Sequence, residues 1–184
     1  VVIATDGMSA RRLLEPFDAS TGRRLPTEYV GMVSASFALT RPLYRGRTVL
    51  LDGASPDDTD RVDLVCQTSN ITRPGSPGPH ILIAQSATLG WRDVDPERYA
   101  DAVGRHLQRL VPRFPWATMA RPIETFACAH AQFRPIDNVR RDLPGPRTAL
   151  PNVFLAGDAV LHPSIEGAVA SGRRAAQAVG SSLG

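Results

Sequence analysis

Residues Leu150 to Val179, LPNVFLAGDAVLHPSIEGAVASGRRAAQAV, hold the clearest arrangement for chemistry in this chain. An apolar run, Val153 to Ala156, ends in Gly157-Asp158. A loop containing His162 follows, and then a segment of mostly Ala, Gly, Ser and Val reads as a helix beginning at Ser164. Each part suits a ligand. A glycine at a strand end removes the Cβ that would hold a ligand away. Asp158 presents a carboxylate to sugar-like hydroxyls. A helix start at Glu166, Gly167, Ala168 and Val169 offers unpaired N–H groups at the positive end of its dipole. Without a ligand, the same small residues would pack a helix tightly against a strand.

These residues closely resemble the C-terminal FAD motif of the flavin amine oxidase, phytoene desaturase and protoporphyrinogen oxidase superfamily. That motif has Gly-Asp, a variable loop, Glu-Gly-Ala and a helix of small residues. The resemblance implies FAD as cofactor, with Gly157 making room and Asp158 bonding the ribityl chain or pyrophosphate oxygens. It places the backbone N–H groups of Gly167, Ala168 and Val169 at the pyrimidine edge of the ring, where reduced flavin carries negative charge. Glu166 either caps the first turn or touches the cofactor. His162 could accept a proton at the flavin edge or could merely bond to backbone. At the other end, the superfamily has a strand ending in Ala-Thr-Pro and then a helix ending in Leu-Leu. Here Ala4-Thr5 match and Asp6 replaces the proline, which adds Thr5 to the implied cofactor-binding set.

Two absences bear on activity. No G-x-G-x-x-G occurs, and Gly75 to Gly78 reads as a loop. The superfamily's pyrophosphate loop lies near its N-terminus, whereas this chain starts without Met in what reads as a buried strand. Val1 therefore reads as a truncation point within a longer protein. The chain alone is expected to hold half an FAD site, to retain little FAD and to be inactive. The second absence is lysine: all 21 basic residues are Arg. Polyamine and monoamine oxidases typically place a Lys near flavin N5 and an aromatic cage over the ring. The loop here offers Ala159, Val160, Leu161 and His162. The resemblance thus points to the desaturase and porphyrinogen oxidase branches, with hydride removal from an apolar, isoprenoid- or tetrapyrrole-like small molecule. An amine oxidase, or a flavin-fold isomerase or non-catalytic module, remains an alternative.

Composition narrows the partners. A net charge of +3 with basic residues in scattered pairs, such as Arg23-Arg24 and Arg173-Arg174, reads as solvated surface rather than a nucleic-acid interface. His80, His106, His130 and His162 have no ligand spacing, so no metal site is expected. Cys66 and Cys128 read as buried free thiols. No apolar run approaches the ~20 residues of a membrane helix, and no leader is visible. The expectation is a cytoplasmic protein, with peripheral membrane contact if its substrate is lipid-like. The sequence sets no oligomeric state.

Positioning these residues calls for an α/β fold: the C-terminal part of a Rossmann-like FAD/NAD(P)-binding domain with an inserted, strand-rich α+β substrate domain. The expected boundaries are 1–22 for the end of a first FAD-domain segment, 23–135 for the substrate domain and 136–184 for the returning FAD segment. Ser9 is expected to cap a short helix over 10–14. Val33, Ala35, Phe37 and Leu39 alternate with smaller residues as in a half-buried strand. Runs at 48–51, 62–67, 81–85 and 123–133 read as further strands, antiparallel or mixed, with turns at Asp52-Gly53 and Ala54 to Asp58. Between them, Asp95-Pro96-Glu97 is a helix start, and Tyr99, Val103, Leu107 and Leu110 form a packing stripe. Trp91 and Trp116 flank that helix as packing partners. His130 and Phe133 line either a substrate cavity or the core. In the final helix Ile165, Val169, Gly172, Ala176 and Val179 are expected to form the packing face, with Ala168, Ser171 and Ala175 beside it.

Overall fold

Alternation of apolar and small side chains builds the larger sheet. The computed structural model describes residues 1–51, 62–75, 77–88, 95–134 and 142–183. The expected turns at 52–58 and the side chain of Trp91 lie outside the described residues. The chain divides into two units, Val1–Tyr29 with Gln132–Gly184, and Val30–Ala131. Both boundaries fall within strands.

In the 30–131 unit, five strands lie in the order β3-β4-β5-β2-β6. They are β2 (Tyr29–Leu39), β3 (Val49–Leu51), β4 (Leu64–Cys66), β5 (His80–Thr88) and β6 (Ala120–Phe133). The pairs β2–β5, β3–β4 and β4–β5 are antiparallel. Val33, Ala35, Phe37 and Leu39 all point to the core, as their spacing requires. Leu82, Ala84 and Val65 continue that layer, against helix α4 (Pro96–Leu110). From α4 the core takes Tyr99, Val103 and Leu107. Leu110 departs from the expected stripe: it occupies the last helical position and is 52% exposed, while Phe114 beyond the helix joins the core instead. His106 and Ala102 are buried on the inner side of α4. Burial pushes the Tyr99 phenol up to about 12, against a hydrogen bond with Ser86 at 2.9 Å. Trp116, in α5 (Trp116–Met119), packs edge-on to Phe37 at 5.0 Å. It also sits so close to Gly104 that a Cβ there would meet its Nε1 at 2.7 Å.

Cys66 and Cys128 are free but only half-buried. Cys66 stands opposite Ile83 and Val49 in the register, on the face away from Val65 and the core, which explains its exposure. Phe133 is fully buried in the other unit, so its side chain is core.

That other unit is built on two short parallel strands, β1 (Val2–Ile3) and β7 (Phe154–Leu155). The amides of Phe154 and Ala156 donate to Val1 and Ile3. Val1 and Val2 are exposed, and among the described residues β1 pairs with β7 alone. Helix α1 (Gly7–Leu14) follows β1 and is capped by Asp6, whose carboxylate accepts from Ser9 N–H at 2.9 Å. Ser9 is thus the donor at this cap rather than the capping residue, since the helix starts three residues earlier than its apolar pattern suggested. The core joins Ala10, Leu14 and Leu25 to Leu155, Ala159 and Val160.

Asp18 binds the two halves of this unit together. It caps helix α2 (Ala19–Gly22) by accepting from Thr21 N–H at 3.1 Å, and its second oxygen accepts from Ala149 N–H at 2.7 Å. The Thr21 side chain, together with these backbone bonds and one from Ser20, holds its carboxyl well below the usual carboxylate range. Asp18→Ala is expected to cost about 2–3 kcal/mol, read as a lowered denaturation midpoint. Because the folded-state pKa is depressed, this stabilisation is complete above the unfolded carboxylate value of ~4 and is lost as pH falls below it. The gap between the native protein and Asp18→Asn should therefore narrow in acid.

Candidate functional site

The site grows from the C-terminal ends of the two parallel strands, where each chain segment turns into a helix. After β1 come Thr5, Asp6 and Gly7. After β7 come Gly157 and a 3-10 turn, Asp158–Val160, and then helix α6 (Ile165–Leu183). Gly157 has φ +116, a backbone conformation that side chains disfavour. A Cβ there would also lie 3.4 Å from the Thr5 carbonyl oxygen. The positive φ therefore favours glycine at this crossing, where a Cβ would make ordinary contact with the Thr5 carbonyl.

The junction is held from the helix side. Ser171, buried on α6, accepts from Gly157 N–H at 2.8 Å and donates to the Ala168 carbonyl at 2.7 Å. The packed face of α6 runs through Gly167, Ser171, Ala175 and Ala178. Ile165, 87% exposed, and Val169, 61% exposed, lie outside it, contrary to the expected stripe. A helix made of small residues on nearly every side carries no strong apolar direction, so the partner it meets decides which face is buried.

Asp158 is half-buried, and its Oδ1 accepts from Ala159 N–H at 2.8 Å. Oδ2 has no hydrogen-bond partner among the described residues. Asp158 and Asp6 both act on a residue that the sequence pattern did not single out, Tyr29. The Tyr29 hydroxyl accepts from Gly7 N–H at 2.7 Å. Burial, with added repulsion from Asp158 and Asp6, pushes its phenol above the ordinary value against the opposing pull of that N–H. Tyr29 heads an alternating strand, so nothing local in the sequence marks it. Gly7 is fixed here as well: a Cβ would meet the Pro26 carbonyl oxygen at 2.5 Å and the Tyr29 hydroxyl at 3.0 Å. Asp6 has φ −58, which a proline would also adopt, and it adds the capping carboxylate that a proline lacks.

At the start of α6, Ser164 is the cap. Its Oγ accepts from Gly167 N–H at 2.9 Å, and its carbonyl accepts from Ala168 N–H at 2.9 Å. The unpaired donors at this helix end therefore belong to Ile165 and Glu166, immediately ahead of Gly167, Ala168 and Val169. Glu166 is exposed in the first turn, and Ser164 carries the capping bond. His162 is folded into the same cap: its carbonyl accepts from Ser164 N–H at 2.8 Å, and its Nδ1 lies 2.9 Å from Ser164 Oγ. A Cβ on Gly167 would run into the His162 carbonyl oxygen, so the loop itself excludes a side chain there. The structure thus brings Thr5, Gly157 and Asp158 together with Asp6 and Tyr29. His162, Glu166 and Gly167 form the neighbouring helix start.

Residues 1–180 match the model of the flavin containing amine oxidoreductase family. No curated protein matches the chain. Among solved structures, a candidate protoporphyrinogen oxidase from Exiguobacterium sp. 255-15 is 15% identical with a TM-score of 0.68, covering 100% of this chain and 41% of that one. An oxidoreductase from Methanosarcina mazei is 14% identical with a TM-score of 0.62, covering 98% and 42%. A Pyrococcus furiosus protein is 11% identical with a TM-score of 0.57, covering 97% and 40%. These likenesses concern the fold, and the chain spans about two fifths of each of those structures. No helix among the described residues is long and apolar enough to cross a membrane.

Tyr29→Phe tests the junction. It leaves Gly7 N–H without its acceptor and should destabilise the protein by about 1–3 kcal/mol. Urea unfolding followed by circular dichroism reads this directly, and an unchanged midpoint would remove Tyr29 from the junction.

Proposed function

We infer the function from one premise: the chain belongs to the flavin containing amine oxidoreductase family. On that premise we propose that it forms part of an FAD-dependent oxidoreductase that takes hydride from an apolar, isoprenoid- or tetrapyrrole-like small molecule. The observation that carries this reading is the junction of the two parallel strands, with a glycine-lined crossing, an available carboxylate oxygen and a helix start. The residues fit such a cofactor. Asp158 Oδ2 is available to a ribityl hydroxyl, and Gly157 places no Cβ beside the Thr5 carbonyl. The unpaired N–H groups of Ile165 and Glu166 sit at the positive end of α6, where they favour negative charge. When bound, the flavin supplies the two-electron acceptor for the hydride.

In this proposal the chain's own residues bind and orient. Asp158 holds a hydroxyl-bearing chain. Ser171 fixes the Gly157 backbone, and so the direction in which Asp158 leaves the strand. Gly167 and Ala168 keep the His162 loop close to the helix start, and Ser164 and His162 lock that loop by their mutual hydrogen bonds. Val169 and Glu166 remain exposed on the same turn. The 30–131 unit is proposed to bind the substrate. The absence of lysine among 21 basic residues favours an apolar substrate over an amine.

Anaerobic mixing of the intact, flavin-loaded protein with a polyene, a porphyrinogen and a polyamine separates the readings. Loss of visible flavin absorbance with the polyene or porphyrinogen is expected. Loss with the polyamine alone would make the protein an amine oxidase, and loss with none would overturn the redox role for these substrate classes. Asp158→Ala should raise the FAD dissociation constant about 10- to 150-fold, the equivalent of roughly 1.5–3 kcal/mol for a bond to a charged acceptor. An equal constant in mutant and native protein would take Asp158 out of the site.

A further inference from the structure

The 30–131 unit carries a concave cleft, lined by three arginines among its described residues, that the flavin reading does not use. A cavity of about 430 Å³ lies between the segments 42–47 and 69–75, with Arg45, Arg47, Ser69, Asn70, Arg73 and His80 on its walls and no carboxylate among the described residues that line it. None of the three guanidinium groups is ion-paired among the described residues. The chain as a whole is nearly balanced, with 21 basic and 18 acidic residues. Elsewhere arginines do meet acids: Arg11 lies 3.2 Å from Glu15, and Arg134 lies 3.7 Å from Glu28. Three arginines facing one concavity without a counter-charge repel one another, and an anion relieves that repulsion.

The cleft is built, because polar bonds anchored on the buried Gln67 fix the backbone that carries its arginines. Gln67 is 1% exposed, and its side-chain oxygen accepts from Leu43 N–H at 2.7 Å. Its backbone N–H donates to the Tyr44 hydroxyl at 2.7 Å, which in turn donates to the Thr48 carbonyl at 2.7 Å. The Gln67 amide also bonds the Asn70 side chain. Asn70 then donates to the carbonyls of Tyr44 at 3.1 Å and Gly46 at 2.9 Å. The backbone from 43 to 48 is thus pinned to the 67–70 turn on both sides of Arg45 and Arg47. Ser69, only 6% exposed on the cavity wall, accepts from Ile81 N–H at 3.1 Å. Its own O–H has no acceptor among the described residues and is left to donate.

We propose that this cleft binds the phosphate group of an anionic ligand. A single carboxylate is satisfied by one guanidinium fork. Three forks and a buried hydroxyl donor match the several oxygens and multiple charge of a phosphate or diphosphate. The phosphate belongs either to a soluble compound or to the headgroup of an anionic lipid. Ile71, 49% exposed on the short helix α3 (Ser69–Thr72) that also carries Asn70, is an apolar side chain that a lipid would use and a soluble phosphate would not.

Two probes and two matched variants test this on the intact protein. Calorimetric titration with inorganic pyrophosphate reads the soluble source, and flotation with phosphatidylcholine vesicles, with and without phosphatidic acid, reads the headgroup. Arg45→Gln with Arg73→Gln should weaken binding about 10-fold or more. Arg98→Gln with Arg113→Gln removes the same charge from exposed positions in the same unit and should change binding less than about 2-fold. Pyrophosphate binding without flotation assigns a soluble ligand. Flotation that requires phosphatidic acid and Arg45 with Arg73 assigns a lipid. No saturable binding of either probe, or equal losses in both double variants, overturns the proposal.

Discussion

Everything in the 1–29 and 132–184 unit depends on two segments distant in sequence crossing closely at Gly157. The parallel ladder there is only two residues long on each strand, too short to hold by backbone bonds alone. Its closure relies on groups at the strand ends. Gly157 adopts a positive φ and allows the Thr5 carbonyl close to its Cα, while Ser171 takes its N–H. Asp18 ties the helix after α1 to Ala149, just ahead of β7. Each of these groups steadies the strand ends, and with them the two helix starts that define the site.

The charge pattern at that junction follows from the same geometry. Both strands end where helices begin, so positive dipole ends gather there and favour carboxylates nearby. Asp6 and Asp158 take those positions, one as a cap and one bonded to the start of the 3-10 turn. Tyr29 lies between their influences as a neutral phenol, accepting the N–H that α1 leaves unpaired. An acidic and hydrogen-bonding edge of this kind suits hydroxyls and polar ring edges. Family membership adds which cofactor brings such groups.

The 30–131 unit solves a different problem. Its sheet buries one face under α4, with the residues that alternate along β2 and β5, and its few buried polar side chains include Ser86, bonded to Tyr99, and His106. Gln67 is the main exception to an apolar interior, and it makes bonds on both its backbone and side chain. A buried amide with that many partners specifies one loop conformation more sharply than apolar packing would. That is why the arginines it carries can converge instead of dispersing over the surface.

Strand and helix identities were legible wherever a period was strong. The alternation at Val33 to Leu39 and the helix start at Asp95-Pro96 depend on neighbours in the chain, and the structure has both. The Gly-Asp and small-residue signature was readable too, and the match over residues 1–180 agrees with the family it implied. What the sequence could not contain was the direction of the final helix. Ala, Gly, Ser and Val are small enough to face a strand from any side, so Ser171 and Ala175 became the packed face because Gly157 and the 3-10 turn were there to meet them. Tyr29 and Asp18 were silent for a related reason, since their partners Gly7 and Ala149 lie 22 and 131 residues away. Local spacing determines the elements through torsional preference and one-sided burial. Only the tertiary structure decides which distant N–H a hydroxyl or carboxylate will meet, because that choice is made by closure of the whole chain.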